Sequence, residues 1–423
     1  MATTPHTTSM VQELTRPVWR IILVCLVVTV MEGYNVIVFG SVIPLILADP
    51  GMGVTSEGIG LIGSMTYIGM FLGGTTAGFL GDRYGRKRLL IIVICVFFAG
   101  AMLSGLAAGP VMLAVARLVA GLGVGGAITM SLALASSGAP SRDAGTVVTV
   151  IMAGIPLGGA IASLLGMPVL PVFGWRAMFL IGAALTLLIL FVVLRSTLEV
   201  VSAKAPQTLS RRVTLLSLFH ERGAALVLLI SAIAVPTMFV WYGINTWLVD
   251  AMTELHVPLT SALLFGFVLS GGAIIGSFLI MRWADRWGVA KVGTVMSALT
   301  VVGLTALAFG PRDLGFALGA VALIGAGGQS TINLLQAAVS TFFPPQMRAT
   351  SLGWSNGVSY IGAITGPAAG GFVLGSAAGP IGVFVLFAAV GTLVVIATFV
   401  LALWASATHG HPGRQRAGEE PSR

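Results

Sequence analysis

IILVCLVVTVMEGYNVIVFGSVIPLIL, residues 21–47, is an apolar run interrupted by one acid, Glu32. A helix rises about 1.5 Å per residue, so some 20 apolar residues cross a hydrocarbon core about 30 Å thick. This run is long enough to do so. A charge in hydrocarbon costs roughly 2.5 kcal/mol or more and is tolerated where it faces a polar cavity or a partner. An ionisable residue in such a place is a functional candidate by default. Glu32 is the one carboxylate that the sequence sets deep in an apolar run.

Similar runs fill the rest of the chain. Of 423 residues, 57% are hydrophobic and 9% charged, and the mean hydropathy is +1.01. Soluble domains carry about 25% charged residues, which excludes that class and indicates a polytopic helical membrane protein in the lipid bilayer. The net charge of +8 reads as basic cytoplasmic loops rather than as a nucleic-acid surface. Cys25 and Cys95 lie within apolar runs and offer neither a disulfide framework nor metal-ligand spacing. The first run is too long for a cleavable signal peptide and is expected to remain as a span. The five histidines fall in tails or loops, so no relay, metal or cofactor is expected. Gly121–Gly126 lacks the Lys-Ser/Thr of a phosphate-binding loop, which argues against an ATP-driven pump or other enzyme.

Twelve spans can be marked: 18–42, 56–80, 89–108, 111–136, 144–168, 175–195, 222–250, 258–281, 292–309, 313–342, 350–374 and 380–406. The expected organisation is a tail over 1–17, a six-helix bundle over 18–195, and a polar linker over 196–221 with Lys204, Arg211 and Arg212. A second bundle over 222–406 and a tail over 407–423 complete it. With the N-terminus inside, nineteen of the 22 Lys and Arg are cytoplasmic; Arg176 and Arg312 fall outside and Arg117 within a span. Both termini are therefore expected in the cytoplasm. The halves repeat. Gly81-Asp82-Arg83-Tyr84-Gly85 returns as Ala284-Asp285-Arg286-Trp287-Gly288, Arg142 as Arg348, and the Gly/Pro cluster at Pro156 as that at Pro367. Matches at a slowly drifting offset indicate two halves in the same orientation, the parallel-repeat plan of many secondary transporters.

Gly78-Phe79-Leu80-Gly81-Asp82-Arg83-Tyr84-Gly85-Arg86-Lys87-Arg88 resembles the loop motif of the major facilitator superfamily, and Arg117–Gly126 resembles its fourth-helix motif. Within it the chain is most similar to the aromatic acid:proton symporter family, on Gly33–Gly40, Gly174-Trp175-Arg176 and Pro345–Trp354. The chain departs from that family's pattern at four places. Glu32 and Asn35 stand for its two aspartates in the first helix, Ser137 for a glutamate, Tyr360 for an arginine, and Arg195-Ser196-Thr197 for Pro-Glu-Ser. The resemblance implies an all-α, twelve-helix fold in the inner (plasma) membrane. It also implies a proton-coupled symporter for a small organic anion, an aromatic or related carboxylate, with a monomer the expected state. An exporter of drug-like compounds and a non-transporting sensor are the alternatives.

Depth along the spans puts Glu32 and Arg117 at similar heights, and the resemblance puts both beside the central cavity. We expect them to be coupled, with Glu32 carrying the proton. Burial favours a neutral carboxyl and a nearby guanidinium an ionised one, so a substrate anion competing for Arg117 would toggle Glu32. Candidate substrate contacts are Tyr34, Asn35, Trp241, Tyr242, Asn245, Gln329, Asn333, Gln336, Asn356 and Tyr360. Trp241 and Asn245 share a helix face, and Gln329, Asn333 and Gln336 form a polar stripe. Helix–helix hydrogen bonding is the competing explanation for each of these. By resemblance Asp82, Arg83, Gly85 and Arg86 form a cytoplasmic gate, with Asp82 meeting the helix start near Thr350. Asp285 and Arg286 are the weaker second copy. The basic residues also suit topology and anionic lipid.

Overall fold

A backbone in lipid must satisfy its own hydrogen bonds, and a helix does so within one segment. In the computed structural model, which describes residues 16–138, 150–195, 222–311, 313–344 and 346–409, every long element is a helix and no strand occurs among the described residues. The linker 196–221 with Lys204, Arg211 and Arg212 lies outside the described residues, as do Arg142, Arg312 and the tails over 1–15 and 410–423.

The first helices are α1 (Arg16–Leu47), α2 (Ser56–Tyr84), α3 (Arg86–Gly105) and α4 (Pro110–Gly138). A helical stretch Gly154–Arg195 is broken at Gly174, whose backbone is left-handed (φ 70°, ψ 179°). We number its parts α5 (154–173) and α6 (175–195). Gly154 packs on Thr29 and Gly159 on Ile37, so α5 runs with α1. Trp175 bonds Asp49 whereas Gly182 lies against Tyr34, so α6 runs against it. The chain therefore reverses at Gly174, a conformation that glycine adopts without a Cβ penalty. The expected fifth span ends at 168, yet the helix continues through Pro168 and Pro171. A proline forfeits one helix bond and bends the axis, and neighbouring helices accommodate this in membranes.

The remaining helices are α7 (Arg222–Glu254), α8 (Leu259–Trp287), α9 (Val289–Phe309), α10 (Leu314–Phe342), α11 (Arg348–Leu374) and α12 (Gly379–His409). Most run past the expected spans, because the extra turns are polar and lie beyond the apolar windows. Thr55 caps α2 by accepting from the Gly58 amide, and Asp313 caps α10 by accepting from Phe316.

The repeat is repeated in the geometry. Gly85 (φ 88°) and Gly288 (φ 87°) both turn the chain in the left-handed region, each donating its amide to the carbonyl four residues back, at Gly81 and Ala284. The helix pairs that approach closely also correspond. On α1 and α5, Gly33 meets the Ile155 backbone and Gly158 that of Val30; on α7 and α11, Gly362 meets Val235 and Gly366 meets Phe239. On α2 and α4, Gly73 meets Leu122 and Gly125 meets Met70; on α8 and α10, Gly272 meets Ala322 and Gly276 meets Ala326. Small residues at such crossings let backbones touch, which replaces a hydrophobic drive that lipid does not supply.

The helices form two compact units. Of the described residues, the second takes 222–244, 271–366 and 376–409. The first takes those up to Arg195 together with 245–270 and 367–375, so it takes in one end each of α7, α8 and α11. In the first unit Gly40 of α1 abuts the carbonyls of Asn245 and Thr246, and Gly60 of α2 lies against Pro367 and Ala368. Ser163 of α5 lies against Gly266 of α8, and the Trp247 indole donates to the Pro367 carbonyl at 2.7 Å.

Candidate functional site

In α1, Gly33 is pinned to α5, and the residues on either side of it project into the first unit. Glu32 is 1% exposed, and neither carboxyl oxygen has a hydrogen-bond partner. Arg117 on α4 is equally buried. Its NH1 donates to Asn35 Oδ1 at 3.3 Å, its NH2 to the Asn35 carbonyl at 3.2 Å and its Nε to Thr66 Oγ1 at 3.0 Å. The guanidinium carbon sits 4.9 Å from the Phe39 ring centroid and 5.6 Å from that of Phe179. These polar partners are all neutral, and no carboxylate among the described residues pairs with Arg117. Glu32 and Arg117, which the sequence reading expects to be coupled, do not bond each other directly. Arg117 sits one helical turn further along α1, at Asn35, because α4 crosses there.

Asn35 contributes its oxygens to Arg117 and leaves its amide nitrogen buried without a partner. Tyr34 points into α6, where its hydroxyl donates to the Met178 carbonyl at 2.9 Å, so its polar atom is engaged with the bundle. Thr66, Phe39 and Phe179 escaped the sequence reading. Phe39 alone left a signal, four residues after Asn35 on the same face.

In the second unit, Gln329 donates to Asn333 at 3.1 Å, Asn333 donates to Ser277 of α8 at 3.0 Å, and Gln336 donates to Asn356 of α11. The stripe on α10 exists, and its amides join it to two neighbouring helices. Trp241 is buried against Gly328 beside a small cavity, lined also by Thr237, Ser297, Thr300 and Thr331, with room for about one water. Tyr242 and Tyr360 are half-buried in the same unit; Asn245 belongs to the first.

The gating candidates lie at the other ends of α2 and α8. Asp82 is exposed and stands 3.8 Å from Arg86, which donates to the Ala133 carbonyl of α4 at 2.8 Å. Arg83 lies over the Tyr84 ring, and Asp285 and Arg286 are exposed.

Two acidic residues gain importance from the structure. Asp49, just beyond α1, accepts from the Arg176 guanidinium at 2.8 Å and from the Trp175 indole at 3.0 Å, while Arg176 also donates to the Ala107 carbonyl at 3.0 Å. The Trp175 and Arg176 bonds hold its carboxyl below the usual carboxylate range. Asp250 closes the expected seventh span, but α7 continues to Glu254, and Asp250 is 3% exposed with Oδ2 unpartnered. Glu32 is therefore not alone as a buried acid.

The family model for the Major Facilitator Superfamily matches residues 25–274 and 230–422. A gentisate transporter of Corynebacterium glutamicum is 31% identical over 385 residues, covering 88% of this chain and 85% of that protein. A benzoate transport protein of Acinetobacter baylyi is 27% identical over 391 residues, covering 84% and 83%. Among solved structures, a D-xylose–proton symporter superposes with a TM-score of 0.75 at 17% identity, covering 91% of this chain and 97% of that one. Likeness at that identity speaks for the fold, and the family model and the gentisate relative speak for descent. This multi-pass membrane chain belongs to the Major Facilitator Superfamily.

Proposed function

We propose that this protein is a proton-coupled importer of small aromatic carboxylates, working by alternating access in the inner membrane with both termini in the cytoplasm. The observation that carries the reading is a buried guanidinium held by neutral acceptors alone. Arg117 keeps an uncancelled positive charge in a dry site, which favours an anion, and a planar carboxylate matches a guanidinium fork. The rings of Phe39 and Phe179 beside it suit an aromatic substrate. The gentisate and benzoate relatives are both named for aromatic carboxylates, which supports the same class. Orientation rests on the basic loops.

Glu32 is the proton carrier in this proposal. An ionised carboxylate with two unpartnered oxygens is expensive in a dry site, so the acid stays neutral until the cavity wets. Substrate bound to Arg117 and proton bound to Glu32 neutralise the pair of sites together, which lets both cross in one loaded state. Gln329, Asn333, Gln336, Asn356, Trp241, Tyr242, Asn245 and Tyr360 are the further candidates for substrate contact. Asp82, Arg83, Gly85 and Arg86, with Asp285 and Arg286, work the cytoplasmic gate.

The test is uptake of labelled benzoate and gentisate into proteoliposomes under an imposed pH gradient. Uptake is expected toward the alkaline interior. Glu32→Gln is expected to drop gradient-driven accumulation to the gradient-free level and to keep substrate counterflow. Full accumulation by that variant removes Glu32 as carrier, and net efflux against the entering protons reverses the direction.

A further inference from the structure

Asp250 has no part in the coupling just described, yet it is buried within the first unit. Four residues before it, the Thr246 carbonyl abuts Gly40 of α1. Three residues before it, Trp247 packs on Gly371 of α11 and donates to the Pro367 carbonyl at 2.7 Å. Residues three and four apart share a helix face, so Asp250 continues the face of α7 that seals against α1 and α11. Its side chain is shut from solvent, and Oδ2 finds no donor. One turn further along α7, Glu254 is exposed at the rim.

The titratable groups that the first unit carries at this end are few among the described residues. Asp49, at the end of α1, is taken up by Trp175 and Arg176 at the start of α6. Glu57 on α2 lies toward Gly375 at the end of α11, and His256 is exposed in the turn after α7. Glu254 is the one whose charge acts on Asp250, and it is of like sign. Among the described residues no cation pairs with Asp250.

We propose that Asp250 is a proton-binding site of the outer gate, separate from Glu32: closing the contact of α7 with α1 and α11 takes up one proton from the outer water, and opening it returns that proton to the same side. The step balances simply. A hydrated carboxylate accepts a proton as its water is expelled, with Glu254 at the rim as the wet end of the path, and the neutral acid loses the proton when water returns. Because donor and recipient are the same compartment, the site moves no charge across the membrane. It makes closure easier when the outside is acidic, the condition under which an importer of this kind has protons to load. The inference rests on the orientation and transport reading above.

The experiment needs no substrate. Ser64 of α2 is buried one turn from Gly60 on the face that meets α11. It serves as a Ser64→Cys reporter in a chain with Cys25→Ala and Cys95→Ala. Labelling with a membrane-impermeant maleimide from outside reads the open gate; an Ala377→Cys reporter in the exposed α11–α12 turn corrects for thiol reactivity. With one linked proton, corrected labelling in the parent is expected to rise with pH, by at most about tenfold per pH unit between about pH 5 and 8. Asp250→Asn is expected to give low, flat labelling, Asp250→Ser the same should the first variant fail to insert, and Asp250→Glu to restore the slope. A flat parent, or a neutral variant that keeps the parent's slope, overturns the inference. A slope lost in Glu32→Gln and kept in Asp250→Asn also overturns it while leaving the transport reading intact. A slope carried by Asp250 in a protein without gradient-driven uptake supports the gate site and removes the transport reading.

Discussion

Arg117 donates to both the side-chain and the main-chain oxygen of Asn35, so a neutral amide does the accepting at a position where the resembling family carries an aspartate. The consequence is electrostatic. An aspartate there would cancel the guanidinium, whereas asparagine orients it and leaves its charge for an arriving anion. In the function proposed above, proton chemistry then falls to Glu32, three residues earlier. Asp49 shows the opposite economy, a carboxylate whose hydrogen bonds from Trp175 and Arg176 favour its ionised form. Its folded-state pKa is depressed, so its contribution to stability is present above the unfolded value of about 3.9 and is lost as pH falls through the folded value. Asp49→Asn is therefore expected to lower the melting temperature at neutral pH and to flatten the acid-side loss of stability. Thermal unfolding in detergent across the acid range checks this, and an unchanged acid limb would show that the bond to Arg176 is not what titrates.

At the scale of helices, close approach through glycine is the recurring device, and it positions the site. Gly33 against Ile155 and Gly158 against Val30 bring α1 and α5 into backbone contact, which fixes the rotation of α1 and with it the direction of Glu32. A methyl at Gly158 would meet the Tyr34 amide nitrogen at 2.6 Å. Gly158→Ala is expected to cost about 1–3 kcal/mol by overpacking. Gly357→Ala on α11, where a Cβ meets nothing within 4 Å, is expected to be neutral or to stabilise by up to about 1 kcal/mol through helix propensity. Melting temperatures of the two variants in one detergent test the contrast. The helices and their repeat were legible in the sequence because lipid imposes long apolar segments, and the matched turns at Gly85 and Gly288 recur with matched residues. What could not be read was tertiary. Thr66, Phe179 and the Asp49–Arg176 pair come together across distant segments and leave no periodic trace. Asp250 was hidden for a different reason: hydropathy ended the seventh span at the acid itself, while the helix ran on to Glu254 and buried it.

For the whole molecule, transport requires that the two ends open in turn, and the chain carries different chemistry at each. The end that holds Gly40, Gly60 and Trp247 is sealed in the first unit by backbone contact, with one buried acid in the seal. The end that holds Asp82 is charged and exposed, its acid loosely paired with Arg86, which in turn ties α3 to the Ala133 carbonyl of α4. A surface ion pair at this distance contributes little to stability, on the order of 0–1 kcal/mol. Asp82 is thus free to exchange partners between states at small cost. On the proposal that Arg117 binds substrate and Asp82 belongs to the gate, removing the Asp82 charge should leave substrate binding unaltered while changing the relative population of the states that the gate distinguishes. Asp82→Asn is accordingly expected to lower the maximal uptake rate by roughly tenfold for a shift of about 1.4 kcal/mol between states. Substrate affinity measured by equilibrium binding should change by less than about threefold. A variant that binds weakly and cycles normally would contradict the proposed division of labour between the buried cluster at Arg117 and a gate at Asp82.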